Sequence, residues 1–267
     1  MPRRNSRNPI RGFQALENRQ MMAGDVSVTT SSSGSTFDLH IDGDFRSNQI
    51  SVWESNGIVH VQGETGTTVN GLSSAQIPLT SMGKQRQTLE DIHIDMEGGN
   101  DEVVLSGLYT NWDDADIDID LGDGSDTVRF YNVGAIDDLM IEGGNDWGAD
   151  SILLWNVGAD DIEIETGNGN DAVHGYMVRA IDEFHIETGR GNDTVGFFRA
   201  RADELDINLG ADNDSLTLQE VNANDVDLDG GSGFDQLRFQ PQSPLPEWTM
   251  NFNPLDEADD FEFFEQL

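Results

Sequence analysis

Seven aspartates carry the chemistry open to this sequence: Asp101, Asp126, Asp150, Asp171, Asp193, Asp214 and Asp235. They follow one another at intervals of 25, 24, 21, 22, 21 and 21 residues. Each closes a short loop. Glycines stand four and two residues ahead of it at Gly122 and Gly124, Gly167 and Gly169, Gly189 and Gly191, and Gly231 and Gly233. Such glycines allow positive φ and can leave carbonyls turned toward one point, and a carboxylate two residues later can aim at the same point. A hard cation of the calcium class takes about six to eight oxygens. One loop supplies about three, so loops of neighbouring copies are expected to share each ion. The copies at Asp101 and Asp214 have Glu97 and Asp212 in place of a glycine, and the copy at Asp150 carries extra residues around Asp146 and Trp147, which makes these three weaker sites. The alternative is that all seven are plain Gly-Asp turns without an ion.

The elements that would position these loops are short strands. Before the loop the apolar pairs are Ile92/Ile94, Ile117/Ile119, Leu139/Ile141, Ile162/Ile164, Phe184/Ile186, Leu205/Ile207 and Val226/Leu228. After it come Val103/Leu105, Val128/Phe130, Ile152/Leu154, Val195/Phe197, Leu216/Leu218 and Leu237/Phe239, with Gly175 interrupting one copy. A third corner repeats Val133, Val157, Val178, Ala200 and Val221, with Ala135, Ala159, Ala180, Ala202 and Ala223 two residues on. Period-two alternation gives each strand one buried face, and no copy can bury that face alone. Stacked copies can. The expected fold is all-β, a parallel β-helix or β-roll solenoid of about 21–25-residue rungs. An antiparallel sandwich would not need identical columns at fixed spacing. The chain divides into a basic leader over 1–25, opening rungs and a cap over 26–88, the seven regular copies over 89–240, and an acidic cap or tail over 241–267 that begins with Pro241, Pro244 and Pro246.

The loops resemble the RTX, or haemolysin-type, calcium-binding repeats, whose pattern is GGxGxDxUx with U a large apolar residue. Residues 230–238, GGSGFDQLR, match every specified position; 121–129, 166–174 and 188–196 miss only the first glycine. The resemblance implies bound calcium. With one loop per rung rather than tandem nonapeptides, it implies one row of ions on one edge. A second resemblance lies in the leader, where Leu16, Glu17 and Arg19 precede Ala23-Gly24-Asp25, similar to the LExR-type N-terminal motif of secreted bacterial surface proteins. It implies an extracellular or cell-surface location.

Composition sets the remaining bounds. Asp+Glu 51 against Lys+Arg 14 gives a net charge of −37, which repels nucleic acid and anionic membrane surfaces and favours cations. Cysteine is absent, so disulfides and thiolate metal sites are excluded. No apolar run is long enough to span a membrane. Before the loops lie Asp95, Asp120, Glu142, Glu165, Glu187, Asn208 and Asp229, and a further column reads Asp91, Asp116, Asp138, Asp161, Glu183, Glu204 and Asp225. Tyr131, Trp155, Tyr176 and Phe198 form an aromatic column, structural or else a glycan-binding ridge. The sequence reads as a non-catalytic structural or adhesive module that binds calcium, with extracellular polysaccharide or surface proteins as partners. The rival reading is a polysaccharide-active lyase or hydrolase using clustered carboxylates. An active site would make one or two rungs unlike the rest, whereas here the acids are spread evenly.

Overall fold

A computed structural model describes residues 24–33, 35–79, 88–108, 115–240, 258–261 and 263–266. Apart from Gly24 and Asp25, the leader lies outside the described residues, as do 241–257. The architecture is a parallel β-solenoid of about 22-residue rungs, with no helix among the described residues.

One wall is built by strands that leave the loops: Gln49–Ser55, Glu102–Ser106, the start of Thr127–Glu142, the start of Ser151–Glu165, Ala172–Ala180, Thr194–Phe198, Ser215–Gln219 and Gln236–Gln240. They pair in parallel, each rung with the next. The second wall is built by strands that run into the loops, among them Thr36–Asp42, Thr88–Asp95, Ile117–Asp120, Glu183–Glu187, Glu204–Asn208 and Asp225–Asp229. Between the walls the chain bends at one left-handed residue per rung: Gly107, Asn132, Asn156, Met177, Arg199 and Glu220, at φ between 54° and 61°.

The register puts like on like. Ile119, Ile141, Ile164, Ile186, Ile207 and Leu228 form one buried column. Val128, Ile152, Val173, Val195, Leu216 and Leu237 form another. Gly175 interrupts the next column for a packing reason. A Cβ there would collide with the ring of Phe197, which packs edge-to-face on Phe184 with centroids 4.9 Å apart. The third corner differs from the sequence reading in one rung. Ile136, not Ala135, pairs with Ala159, because a one-residue bulge follows Gly134.

Further strands extend the stack at both ends. At the first rung Asp25–Ser33 pairs antiparallel with Thr36–Asp42, and Ile58–Gly63 pairs antiparallel with both Gln49–Ser55 and Ser74–Pro78. At the last, Ala258–Asp259 and Phe263–Gln266 pair in parallel with Asp225–Asp229 and Gln236–Gln240. The antiparallel strands cover edges of the first rung that would otherwise template further pairing.

Candidate functional site

The loops stack into one edge held by side-chain ladders. The inner ladder is made by the seven aspartates, all buried. Oδ1 of Asp101 accepts the backbone N–H of Asn48 at 2.5 Å, and Oδ1 of Asp126 accepts that of Asp101 at 2.6 Å. Asp150, Asp171, Asp193, Asp214 and Asp235 each accept from the preceding aspartate at 2.7–2.8 Å. Asn48 heads the column. An outer ladder runs the opposite way through the residue before the aspartate, interrupted at Ala149, which has no acceptor side chain. Asn100 Oδ1 accepts from Ser125 N, Ser125 Oγ from Ala149 N, Asn170 Oδ1 from Asn192 N, and Asn192 Oδ1 from Asn213 N. Loop N–H groups that would be orphaned at the edge are thus satisfied by neighbouring rungs.

The glycines serve rung-to-rung approach. Gly122, Gly167, Gly189 and Gly231 lie in the left-handed region at φ 77°, 89°, 85° and 77°. A Cβ on Gly124, Gly169, Gly191 or Gly233 would strike the carbonyl oxygen of Gly99, Gly148, Gly169 or Asp212 in the rung before. Glu97 and Asp212 adopt positive φ without being glycine. The carbonyls therefore run along the solenoid axis. Those of Glu97, Gly167, Gly189 and Gly210 accept N–H groups of the next rung.

The second oxygens of the inner column decide the chemistry. Oδ2 of Asp101, Asp126 and Asp214 is buried without a hydrogen-bond partner. Oδ2 of Asp171 and Asp193 is equally buried. Thr166 and Thr188 stand beside those two, but their single hydroxyl protons go to the carbonyls of Thr188 and Leu209 at 3.2 and 2.9 Å. Burial pushes Asp101, Asp150 and Asp214 up to about 7 and Asp126 and Asp193 up to about 6, against the opposing pull of the ladder N–H. Burial raises Asp171 as well. Carboxylates on neighbouring rungs, about 4.8 Å apart, repel by roughly 3.5 kcal/mol at an effective dielectric of 20. Over seven residues that rivals a domain's whole stability of about 5–15 kcal/mol, so the ionised column needs counter-charge. Hard oxygens suit a calcium-class cation in type: the orphaned Oδ2 atoms, and the carbonyls of Gly99, Gly124, Gly148, Gly169 and Gly191, which accept no backbone N–H among the described residues. Each Oδ1 also keeps a second lone pair beside the one its N–H occupies.

Beside this column the acidic wall opens a cavity of about 410 Å³ lined by Glu97, Asp120, Asp123, Glu142 and Glu165 together with loop glycines. Burial, and then neighbouring carboxylates, raise Asp120 and Glu142. Further along the wall, Asp116 N–H donates to Asp91 and Asp138 N–H to Asp116, at 3.1 and 3.2 Å. Part of the acidic column therefore acts as inter-rung acceptors. Asp116, Asp137 and Asp138 bring one carboxylate oxygen each within 4.8 Å of one another.

The aromatic column is stacked ring on ring along the solenoid axis. Trp155 stacks on Tyr176 and Tyr176 on Phe198, with centroids 4.3 and 5.5 Å apart, and Arg199 covers Phe198. Ring faces meet each other from Trp155 to Phe198. His185 pairs with Asp206 at 3.1 Å and His40 stacks on His93.

The ladder role of the aspartates was not read from the sequence, although a signal was present. The column admits Asp seven times and Asn48 once but never Glu, whereas the exposed columns mix Asp and Glu. Such strictness about side-chain length marks a buried, geometry-limited hydrogen bond. The recurrence of Asn and Ser just before the aspartate marks the outer ladder in the same way. Compared with known proteins, the chain matches no family model, no curated protein and no solved structure.

Proposed function

We propose that this chain is a calcium-stabilised β-solenoid acting as a structural and binding module outside the cell or on its surface, without catalysis. The observation that carries the reading is the column of buried carboxylates with unpartnered Oδ2 atoms, which at neutral pH must be met by protons or by cations. Asp101, Asp126, Asp171, Asp193 and Asp214 would hold the ions, with the axial loop carbonyls completing the donor set. Calcium would supply positive charge between rungs, cancelling the repulsion that otherwise opposes stacking. The rungs' likeness to one another supports a module rather than an enzyme. The likeness of the loops to haemolysin-type repeats and of the leader to LExR-type segments supports calcium and export.

Circular dichroism and thermal melts at pH 8, with calcium and with a chelator, test the reading. Calcium is expected to raise both order and melting temperature, since a ligand bound only by the folded state stabilises it by mass action. Identical spectra and melts in the two conditions would leave a calcium-independent acidic solenoid. Fractionation of the native cells tests the location: chain found solely in the cytosol with its leader intact contradicts it.

A further inference from the structure

The bend opposite the loop edge carries chemistry of the other sign. Gly158, Met177, Arg179, Arg199, Arg201 and Glu220 are among the residues that line a groove of about 430 Å³. The whole chain has Lys+Arg 14 against Asp+Glu 51, yet three arginines from two adjacent rungs meet here. Arg179 and Arg201 are bridge partners across those rungs. Both are exposed, and neither forms an ion pair among the described residues. Arg199 is already committed: its Nε donates to Glu220 at 2.7 Å and its guanidinium lies 4.8 Å from the centroid of Phe198.

Gly134 and its register partner Gly158 both line the groove, and Gly158 leaves open space in it. A Cβ there would meet nothing nearer than the Arg179 carbonyl oxygen at 3.8 Å, and Gly158 is not in the left-handed region. Neither close approach nor backbone conformation calls for glycine at this position, unlike the glycines of the loop edge. Two unpaired guanidinium groups on adjacent rungs repel each other. A carboxylate seated between them removes that repulsion and gains charge-assisted, bidentate hydrogen bonds.

We propose that this groove binds a carboxylated polysaccharide, with a uronate carboxylate held by Arg179 and Arg201 and the sugar rings lying along the solenoid axis over the exposed Met177. The inference takes up the binding-module part of the reading above and requires the fold but no metal. The lining suits both aspects of a uronate ring, since the exposed apolar side chain of Met177 meets the C–H face while planar cations meet the carboxylate. An extended acidic peptide fits less well, because its carboxylate sits on a flexible side chain whose ordering costs free energy, whereas a uronate carboxylate is fixed to its ring. The rest of the surface, at net charge −37, repels any polyanion at long range. Salt screens that repulsion over a Debye length of about 10 Å at 0.1 M while short bidentate contacts persist. Affinity therefore rises from about 0.01 M to about 0.1 M salt, the reverse of ordinary binding between a cationic protein and a polyanion.

The test titrates a short oligouronate, its methyl ester and an oligoglutamate into the folded full chain by calorimetry. Three variants are compared: Arg179→Gln/Arg201→Gln, Gly158→Gln, and Arg190→Gln, an exposed arginine on the loop edge. The oligouronate is expected to bind wild type and Arg190→Gln alike, and to lose about tenfold or more in the double variant, as fits the loss of charge-assisted contacts. Gly158→Gln, which keeps every charge and adds a side chain into open space, is expected to lose binding similarly, so the test stands even if the double variant does not fold. The ester and the oligoglutamate are expected to bind weakly. No binding to folded wild type, equal binding of the ester, equal loss in Arg190→Gln, or tighter binding of the oligoglutamate overturns the proposal. A chain that takes up calcium but no oligouronate loses this site and keeps the cation edge, so the two readings fail separately.

Discussion

Asp126 shows what the inner column asks of a single side chain. Its Oδ1 accepts the N–H of Asp101, while its Oδ2 is buried with no partner. Asp126→Ala removes the acceptor and strands a buried N–H, which costs about 1–3 kcal/mol. Asp126→Asn keeps an acceptor for the Asp101 N–H and deletes the charge. In chelator at pH 8, denaturant melts are expected to place Asn above wild type and Ala below it; equal losses for both variants would contradict the ladder. The pH dependence follows from the same residues. Folded values of about 6 to 7 stand above the ordinary 3.8. The folded chain thus binds more protons than the unfolded chain across that window, and stability falls as pH rises through it. In chelator, the melting temperature at pH 5 is expected to exceed that at pH 8, and the calcium-induced gain is expected to grow over the same interval. A melting temperature in chelator that climbs from pH 5 to pH 8 would contradict the assignment.

At the scale of strands and loops, the glycines separate into two kinds with opposite predictions. Gly191 has φ 135° and its Cβ would strike the Gly169 carbonyl, so Gly191→Ala is expected to cost about 2–4 kcal/mol. Gly158 is free of both constraints, and Gly158→Ala is expected to stay within about 0.5 kcal/mol of wild type. Denaturant melts of the two variants check this, and similar losses would contradict it. The solenoid itself was legible in the sequence, because columns such as Ile119, Ile141 and Ile164 repeat at rung spacing and no other fold needs that. What escaped the sequence depends on partners distant along the chain. The bulge that puts Ile136 where Ala135 was expected is decided by its pairing with Ala159. The antiparallel cover over the first rung is decided by which edges would otherwise stay open. The aspartates were legible as a column, whereas their inward direction depends on the N–H that each meets in the neighbouring rung. The Arg179–Arg201 groove had no signal of its own, since the two arginines fall side by side only once the rungs are stacked.

The whole molecule has two unlike walls. Strands running into the loops carry Asp118, Glu163, Asp206 and Asp227 between columns that are themselves acidic. Strands leaving the loops face outward with Thr127, Ser151, Thr194, Ser215 and the aromatic stack. Among the described residues the acidic charge is therefore concentrated on one wall and along the loop edge. Without calcium, raising sodium chloride from about 0.01 M to about 0.5 M is expected to raise the melting temperature as self-repulsion is screened; a flat response would contradict a charge-limited solenoid. Calcium held by the buried column rather than by the exposed wall has a distinct signature, because it must displace protons from carboxyls poised at about 6 to 7. The direct measurement is calorimetric calcium titration at pH 6.5 in buffers of different ionisation enthalpy, which counts protons released per ion. Net proton release at pH 6.5 that fades by pH 8.5 is the predicted result. Calcium uptake without proton release, or no uptake at all, would contradict a buried cation column.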